Sequence, residues 1–189
     1  MNLRTWQIVT LLPATLAVGL TAGLFGDWAH TIMRGLHKTD DRTFIGAFQA
    51  LDRAITNLLF MLTFFGGLVL SGVAAVLYLR DDDHTVLPWV AVAFGLYLVA
   101  IVITMAVNVP LNEDLRAAGD PDRIANLAAV RDAFHETRWM AWHIVRTIAT
   151  TAAFVCLAWA LVLHGRITSD RLTDARTAPA HELQGRTST

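Results

Sequence analysis

LLFMLTFFGGLVLSGVAAVLYL, residues 58–79, is followed by the turn RDDDHT (80–85) and then by VLPWVAVAFGLYLVAIVITMAV, residues 86–107. Neither apolar run carries a charged side chain. Each exceeds the roughly 20 residues that an α-helix needs to cross about 30 Å of hydrocarbon. The turn between them is short and polar, with Asp81, Asp82 and Asp83 in succession. Two spanning helices joined in this way form an antiparallel hairpin.

Working outward, two further runs meet the same test, Trp6–Phe25 and Trp139–Leu163, the latter interrupted by a single charge at Arg146. The fold class expected is therefore all-α, a four-helix transmembrane bundle with spans at about 6–25, 58–79, 86–107 and 139–163. The whole chain agrees: 189 residues, 54% hydrophobic, 16% charged, net charge −1 and mean hydropathy +0.47. So little charge does not cover a soluble surface, and it gives no electrostatic footprint for nucleic acid. The expected partners are the lipid bilayer and a hydrophobic small molecule; oligomeric state is not legible. Cys156 is the one cysteine, so an intramolecular disulfide and Cys-based metal clusters are excluded. The first run is too long for a signal-peptide core, has only Arg4 ahead of it and no A-x-A site after it, and reads as a retained span. Residues 1–166 form one domain, and the polar, aperiodic stretch 167–189 reads as a disordered tail.

Four spans force the two long connections, Gly26–Asn57 and Asn108–Arg138, onto the same side of the membrane. Both contain helical spacing, in Phe44, Phe48, Leu51 and Ile55 and in Ile124, Leu127, Val130 and Phe134. Helices two and four are accordingly expected to begin near Thr43 and Pro121 and to extend beyond the bilayer on that side, helix four to on the order of 65 Å. The unusual polar residues collect at this one end. Asn57 opens the second span, Asn108 and Asn112 close the third around Pro110, and helix four carries Trp139, Trp142, His143 and Arg146. Asp27, Trp28, His30 and His37 follow the first span.

An ionisable group within a span faces the bundle interior or a water-filled cavity. Expected partners for Arg146 are Asp27, Asp52 or Glu136, or carbonyls freed near Pro110. Plainer readings stand beside these. Arg146 can snorkel to the interface, Trp139 and Trp142 can be belt aromatics, and Asn108 and Asn112 can serve as turn and cap residues.

The Asn-Val-Pro-Leu-Asn segment (108–112) and the Trp-x-x-Trp-x-x-x-Arg run (139–146) resemble the anthrone-oxygenase-like family of small four-helix membrane proteins. The matching positions are Asn108, Pro110, Asn112, Trp139, Trp142 and Arg146; the residue after the second Trp, often Asn in that family, is His143 here. The resemblance implies oxidation of an anthrone-like aromatic by dioxygen without a cofactor, that is, a monooxygenase-type oxidoreductase. His143 would be the base, Arg146 with Asn108 and Asn112 would stabilise an enolate, and Trp139, Trp142, Asn57 and Trp28 would line the substrate slot. Two other function classes remain: a haem or copper/iron site built from His30, His37, His135 or His143, and a non-enzymatic membrane subunit or small-molecule binding module whose polar centre is filled. Location is expected to be the plasma membrane. Eight Lys or Arg residues on the long-connection side against six on the other leave orientation open.

Overall fold

The computed structural model describes residues 2–177, which are helical with no strand among them. We label six helices. α1 runs Leu3–Leu36 and includes a π-helical turn at Trp28–Ile32; α2 is Asp41–Ile55 and α3 Leu58–Leu79. α4 runs Leu87–Ala117 with a second π-helical turn at Thr104–Asn108. α5 is Leu127–Ala133 and α6 Glu136–Thr177.

Four of these, α1, α3, α4 and α6, are long and apolar enough to span a bilayer. The chain is an integral membrane protein built as a four-helix bundle. α1 packs on α3 and α6, and α4 packs on the same two. Contact surfaces use small residues, Ala14, Ala74, Ala93, Ala153 and Ala160, which are almost fully buried and bring the backbones close. Leu16, Leu20, Leu58, Leu59, Val69 and Ile148 point outward, as a lipid-facing surface requires. The Tyr97 hydroxyl ties the centre: it donates to the Phe64 carbonyl at 3.0 Å and lies 3.2 Å from the Thr21 hydroxyl, linking α4 to α3 and α1.

Both long connections lie at one end and pack on each other. Phe44, Ile45 and Phe48 of α2 meet Leu111, Leu115, Phe134, Trp28 and Trp139 in a second apolar cluster. Gln49 pins α2 to the end of α4 by donating to the Leu115 and Gly119 carbonyls. Arg131 lies over the Phe44 ring and bonds the Thr39 carbonyl, Asp41 and Glu136.

Three expectations about helix extent are corrected. Helix two does not run on from Thr43, because Thr56 leaves helical geometry and Asn57 starts a new helix by accepting from the Phe60 amide. Helix four does not start at Pro121, where there is only a 3₁₀ turn. α5 ends at Ala133, and His135 takes φ +51°, breaking the rod before α6. The third span does not close at Asn108–Asn112 but continues to Ala117, the π turn absorbing Pro110. Each break lets an amphipathic segment fold over the bundle end instead of standing in water. Of the stretch 167–189, residues 167–177 continue α6 and the rest lies outside the described residues.

Gly67 and Gly66 separate packing from propensity. A Cβ on Gly67 would meet the Tyr97 ring at 3.1 Å and Val18 at 3.2 Å, both buried, whereas one on Gly66 would meet nothing within 4 Å. Gly67→Val is expected to cost about 1–3 kcal/mol by overpacking and to lower the melting temperature in detergent by several degrees. Gly66→Ala is expected to leave it unchanged or raise it slightly; equal loss in both variants would refute close packing at Gly67.

Candidate functional site

Arg146 stands two turns inside its span and is only 6% exposed. Its Nη1 donates to the Thr104 hydroxyl at 2.9 Å, and Nε and Nη2 donate to His143 Nδ1 at 3.0 and 2.8 Å. The guanidinium lies 4.3 Å from the Phe25 ring centre and 5.6 Å from that of Trp139. None of these partners is a carboxylate. Asp27, Asp52 and Glu136, expected as its counter-ions, are not among them, nor are carbonyls near Pro110. A charge at this depth costs about 2.5–3.5 kcal/mol. Hydrogen bonds to a charged group return about 1.5–3 kcal/mol each, so Thr104, His143 and the Phe25 face hold it without an anion. Three of its five N–H donors are engaged, which leaves two for a ligand.

His143 is fully buried between these groups. Because Nδ1 accepts from Arg146, the ring proton belongs on Nε2, which donates to the Phe25 carbonyl at 2.9 Å. The imidazole stacks on Trp139, with centroids 4.7 Å apart. Both nitrogens are engaged, one by the Phe25 carbonyl and the other by Arg146.

A second chain of bonds runs up to the cap. Asn108 Nδ2 donates to the Trp139 carbonyl at 3.1 Å. Trp139 Nε1 donates to Asn112 Oδ1, and Asn112 Nδ2 to Asp52 Oδ1, both at 2.7 Å. Arg116 Nε lies 3.2 Å from Asp52 Oδ2, yet that oxygen is buried and has no hydrogen-bond donor. Burial pushes the Asp52 carboxyl above the usual carboxylate range, opposed in part by the Arg116 charge and the Asn112 bond.

The two groups share one cavity of about 260 Å³ under the cap, whose polar wall is Arg146, Thr104, Asn112, Asp52, Arg116 and Glu113 and whose apolar wall includes Trp28, Trp139, Phe60 and Phe64. This is near the lower end of small-molecule sites, which run about 300–1,000 Å³. Of Asn108, His143 and Arg146, between which a purely structural bundle is expected to be filled, the first two are fully buried and off the cavity, whereas Arg146 lines it.

Of the eight residues singled out from sequence, Arg146, Asn112, Trp139 and Trp28 line this cavity. His143 and Asn108 stand behind it as supports. Trp142, 41% exposed, faces outward as a belt aromatic. Asn57 caps α3 and borders a separate groove. Sequence reasoning missed Thr104 and Arg116, and took Asp52 only as a counter-ion for Arg146. A signal for Thr104 was present, since it lies one turn before Asn108. Among the described residues no group of three or more His, Cys, Asp or Glu side chains gathers as a metal site. His37 is paired with Glu136 at 2.8 Å.

A family model described as anthrone oxygenase matches residues 60–156, just over half of the chain, from the first turn of α3 to the middle of α6. That span contains Thr104, Asn108, Asn112, Arg116, Trp139, His143 and Arg146, and excludes Trp28 and Asp52. No curated protein and no solved structure matches the chain.

The raised Asp52 carboxyl fixes a sign. A carboxyl whose folded pKa exceeds its unfolded value of about 3.9 contributes most to stability below that value and loses the contribution as pH rises through the folded pKa. The melting temperature of the wild type minus that of Asp52→Asn is therefore expected to fall as pH rises above about 4. A difference that is flat, or that climbs with pH, would contradict this placement of Asp52.

Proposed function

The chain belongs to the anthrone oxygenase family, and we propose that it oxidises a lipid-soluble, anthrone-like aromatic ketone with dioxygen in the cavity beneath the cap. One observation carries the reading. A guanidinium without a counter-anion and a buried carboxylate with an undonated oxygen line the same small, mostly apolar space.

An anthrone carries a methylene flanked by two aromatic rings and lying across the central ring from its carbonyl. Asp52 Oδ2 takes one methylene proton, and the electron pair moves onto the carbonyl oxygen. The resulting enolate is held by the free N–H donors of Arg146, in a site where low dielectric strengthens such contacts. Dioxygen adds at the former methylene carbon, and its outer oxygen takes a proton to give a hydroperoxide. Loss of the second hydrogen from that carbon, with cleavage of the O–O bond, releases water and leaves a second carbonyl. One oxygen atom ends in the quinone and the other in water. The substrate carbanion supplies the electrons, so this chemistry draws on no cofactor. Trp28 and Trp139 flank the planar ring system; His143 and Asn108 keep Arg146 and Trp139 in place.

The sequence-derived choice of His143 as base and the choice of Asp52 make opposite demands. Asp52→Asn is expected to lower kcat on an anthrone by about a hundredfold or more, the scale of general-base catalysis. His143→Asn, which keeps a side-chain oxygen available to Arg146, is expected to lose less than about tenfold. Quinone absorbance and oxygen uptake by purified protein in lipid nanodiscs measure both. Reversal of the two effects would return the base to His143, and quinone formation no faster than in empty nanodiscs would remove the oxidation altogether. A Soret band, or iron or copper in stoichiometric amount, would favour the haem or metal reading instead.

A further inference from the structure

The cavity has two lips of different chemistry. Thr56, Glu113 and Arg116 bound it on the side of the cap. Met61 and Phe65 of α3 and Met105 and Val109 of α4 bound it on the side of the span. Phe65 and Met105 are also 41% and 50% exposed on the outside of the bundle. A side chain that lines a cavity and faces lipid at once is a wall one residue thick.

The seam between α3 and α4 is weak at this height. Lower down the Tyr97 hydroxyl fastens α4 to the Phe64 carbonyl. Above that, the side-chain hydroxyls of Thr63 and Thr104 donate within their own helices. Among the described residues no hydrogen bond or ion pair joins residues 58–63 to 104–109. The π turn at Thr104–Asn108 widens α4 at the same level. Methionine, unbranched and with three rotatable bonds, yields easily to a passing ring. A lateral groove of about 450 Å³ between α1 and α3 is closed off from the cavity by Trp28, Ile55 and Phe60, which line both spaces. Trp28 is held there by Phe48 and Trp139, and Phe60 stacks on Phe64.

We propose that the ligand reaches Arg146 sideways out of the bilayer, through the α3–α4 seam at Met61 and Met105, above the bond from Tyr97 to the Phe64 carbonyl. The ligand class is a planar aromatic dissolved in lipid that leads with one carbonyl or phenolate oxygen. The unneutralised guanidinium supplies the pull, and an apolar gap admits rings while rejecting molecules that carry a permanent charge. This rests on the cavity being the ligand site named above, but not on its turning the ligand over.

Ligand loading tests it directly. The full chain in proteoliposomes is mixed with dihydroxyanthraquinone predissolved in the lipid, or with an anthraquinone sulfonate confined to water, and quenching of tryptophan fluorescence is followed in time. The lipid-dissolved quinone is expected to quench saturably and the sulfonate not to. Met61→Phe with Met105→Phe is expected to slow association at least about tenfold, a change read in the rate alone because both side chains also line the cavity. Leu59→Phe, in the α1–α3 groove, is expected to leave the rate as in the wild type. If the double variant melts early, Met61→Ala with Met105→Ala replaces it and must speed association. Equal loading by the sulfonate, unchanged rates in the seam variants, slowing by Leu59→Phe alone, or absence of saturable quenching would each overturn the lateral route. Saturable loading without quinone formation from anthrone sinks the oxidation and spares the route; turnover with unhindered seam variants does the opposite.

Discussion

Arg146 is a permanent cation inside an apolar bundle, and its need for partners organises the end of the molecule around it. Arginine does not shed its proton, so the helix cannot relieve the cost by neutralising the group. No carboxylate has been brought in. Instead α4 turns the Thr104 hydroxyl toward it, α1 lays the Phe25 ring beneath it, and α6 itself supplies the His143 lone pair. These partners are neutral, so they stabilise the charge without cancelling it, and the field of the guanidinium still reaches into the cavity. A carboxylate in the same place would have made a tighter pair and a less useful site. Breaking any one of these supports leaves a desolvated charge less well solvated by the protein, which links local packing at Phe25 to binding at Arg146.

The cap answers a different demand. A cavity that opens between helix ends would fill with water, and water would screen the guanidinium. The short helices α2 and α5 close that end with Phe44, Phe48 and Phe134 packed on Trp28 and Trp139. For α2 to lie across the bundle the chain must bend sharply on both sides of it. Asp40 opens it by accepting from the Thr43 amide, and Thr56–Asn57 break it from α3. At the start of α6 the bend falls on His135, whose positive φ costs a non-glycine residue about 1–3 kcal/mol. The apolar surface buried by Phe134 and Trp139 on either side of it offsets that strain.

The bundle itself was legible because the bilayer imposes length and apolarity directly on the chain, and four such runs also dictate which connections share a side. What pattern does not reveal is the angle at which one helix leaves the next. Phe44, Phe48 and Ile55 show which face of α2 is apolar, and the same spacing suits a straight extension of α3 or a separate helix folded over it. Helix rotation limits the site residues in a similar way. At about 100° per residue, Trp139, His143 and Arg146 fall within about 60° of one another, and Trp142 lies about 40° beyond Arg146 and about 100° from His143. That offset is enough to put Trp142 on lipid. Asp52 escaped notice as a wall of the cavity because it belongs to a segment expected to extend beyond the bilayer as the start of helix two. Only the tertiary contact with Asn112 brings it in.

Placing the carboxylate in the cap and the guanidinium in the span divides their work along the membrane normal. In the proposed reaction Asp52 would exchange a proton with water at every cycle, and it sits beside Thr56, Glu113 and Arg116, where the wall is polar. Burial raises its carboxyl pKa, which in the proposed reaction would make it a stronger base, and the Arg116 charge opposes that rise. In that reaction Arg146 would keep its proton throughout, and like Asp52 it is only 6% exposed. Thr104 and Asn112, the side chains that face these groups from α4, lie eight residues apart, about 12 Å of helix rise. In the proposed reaction a flat ring system spanning two such levels would be oriented before any step begins, its oxygen drawn down to the cation and its acidic carbon left near Asp52. Exchanging the two groups would leave a cation in water, where it is screened, and a carboxylate in hydrocarbon, where it would stay protonated; neither could then do its part.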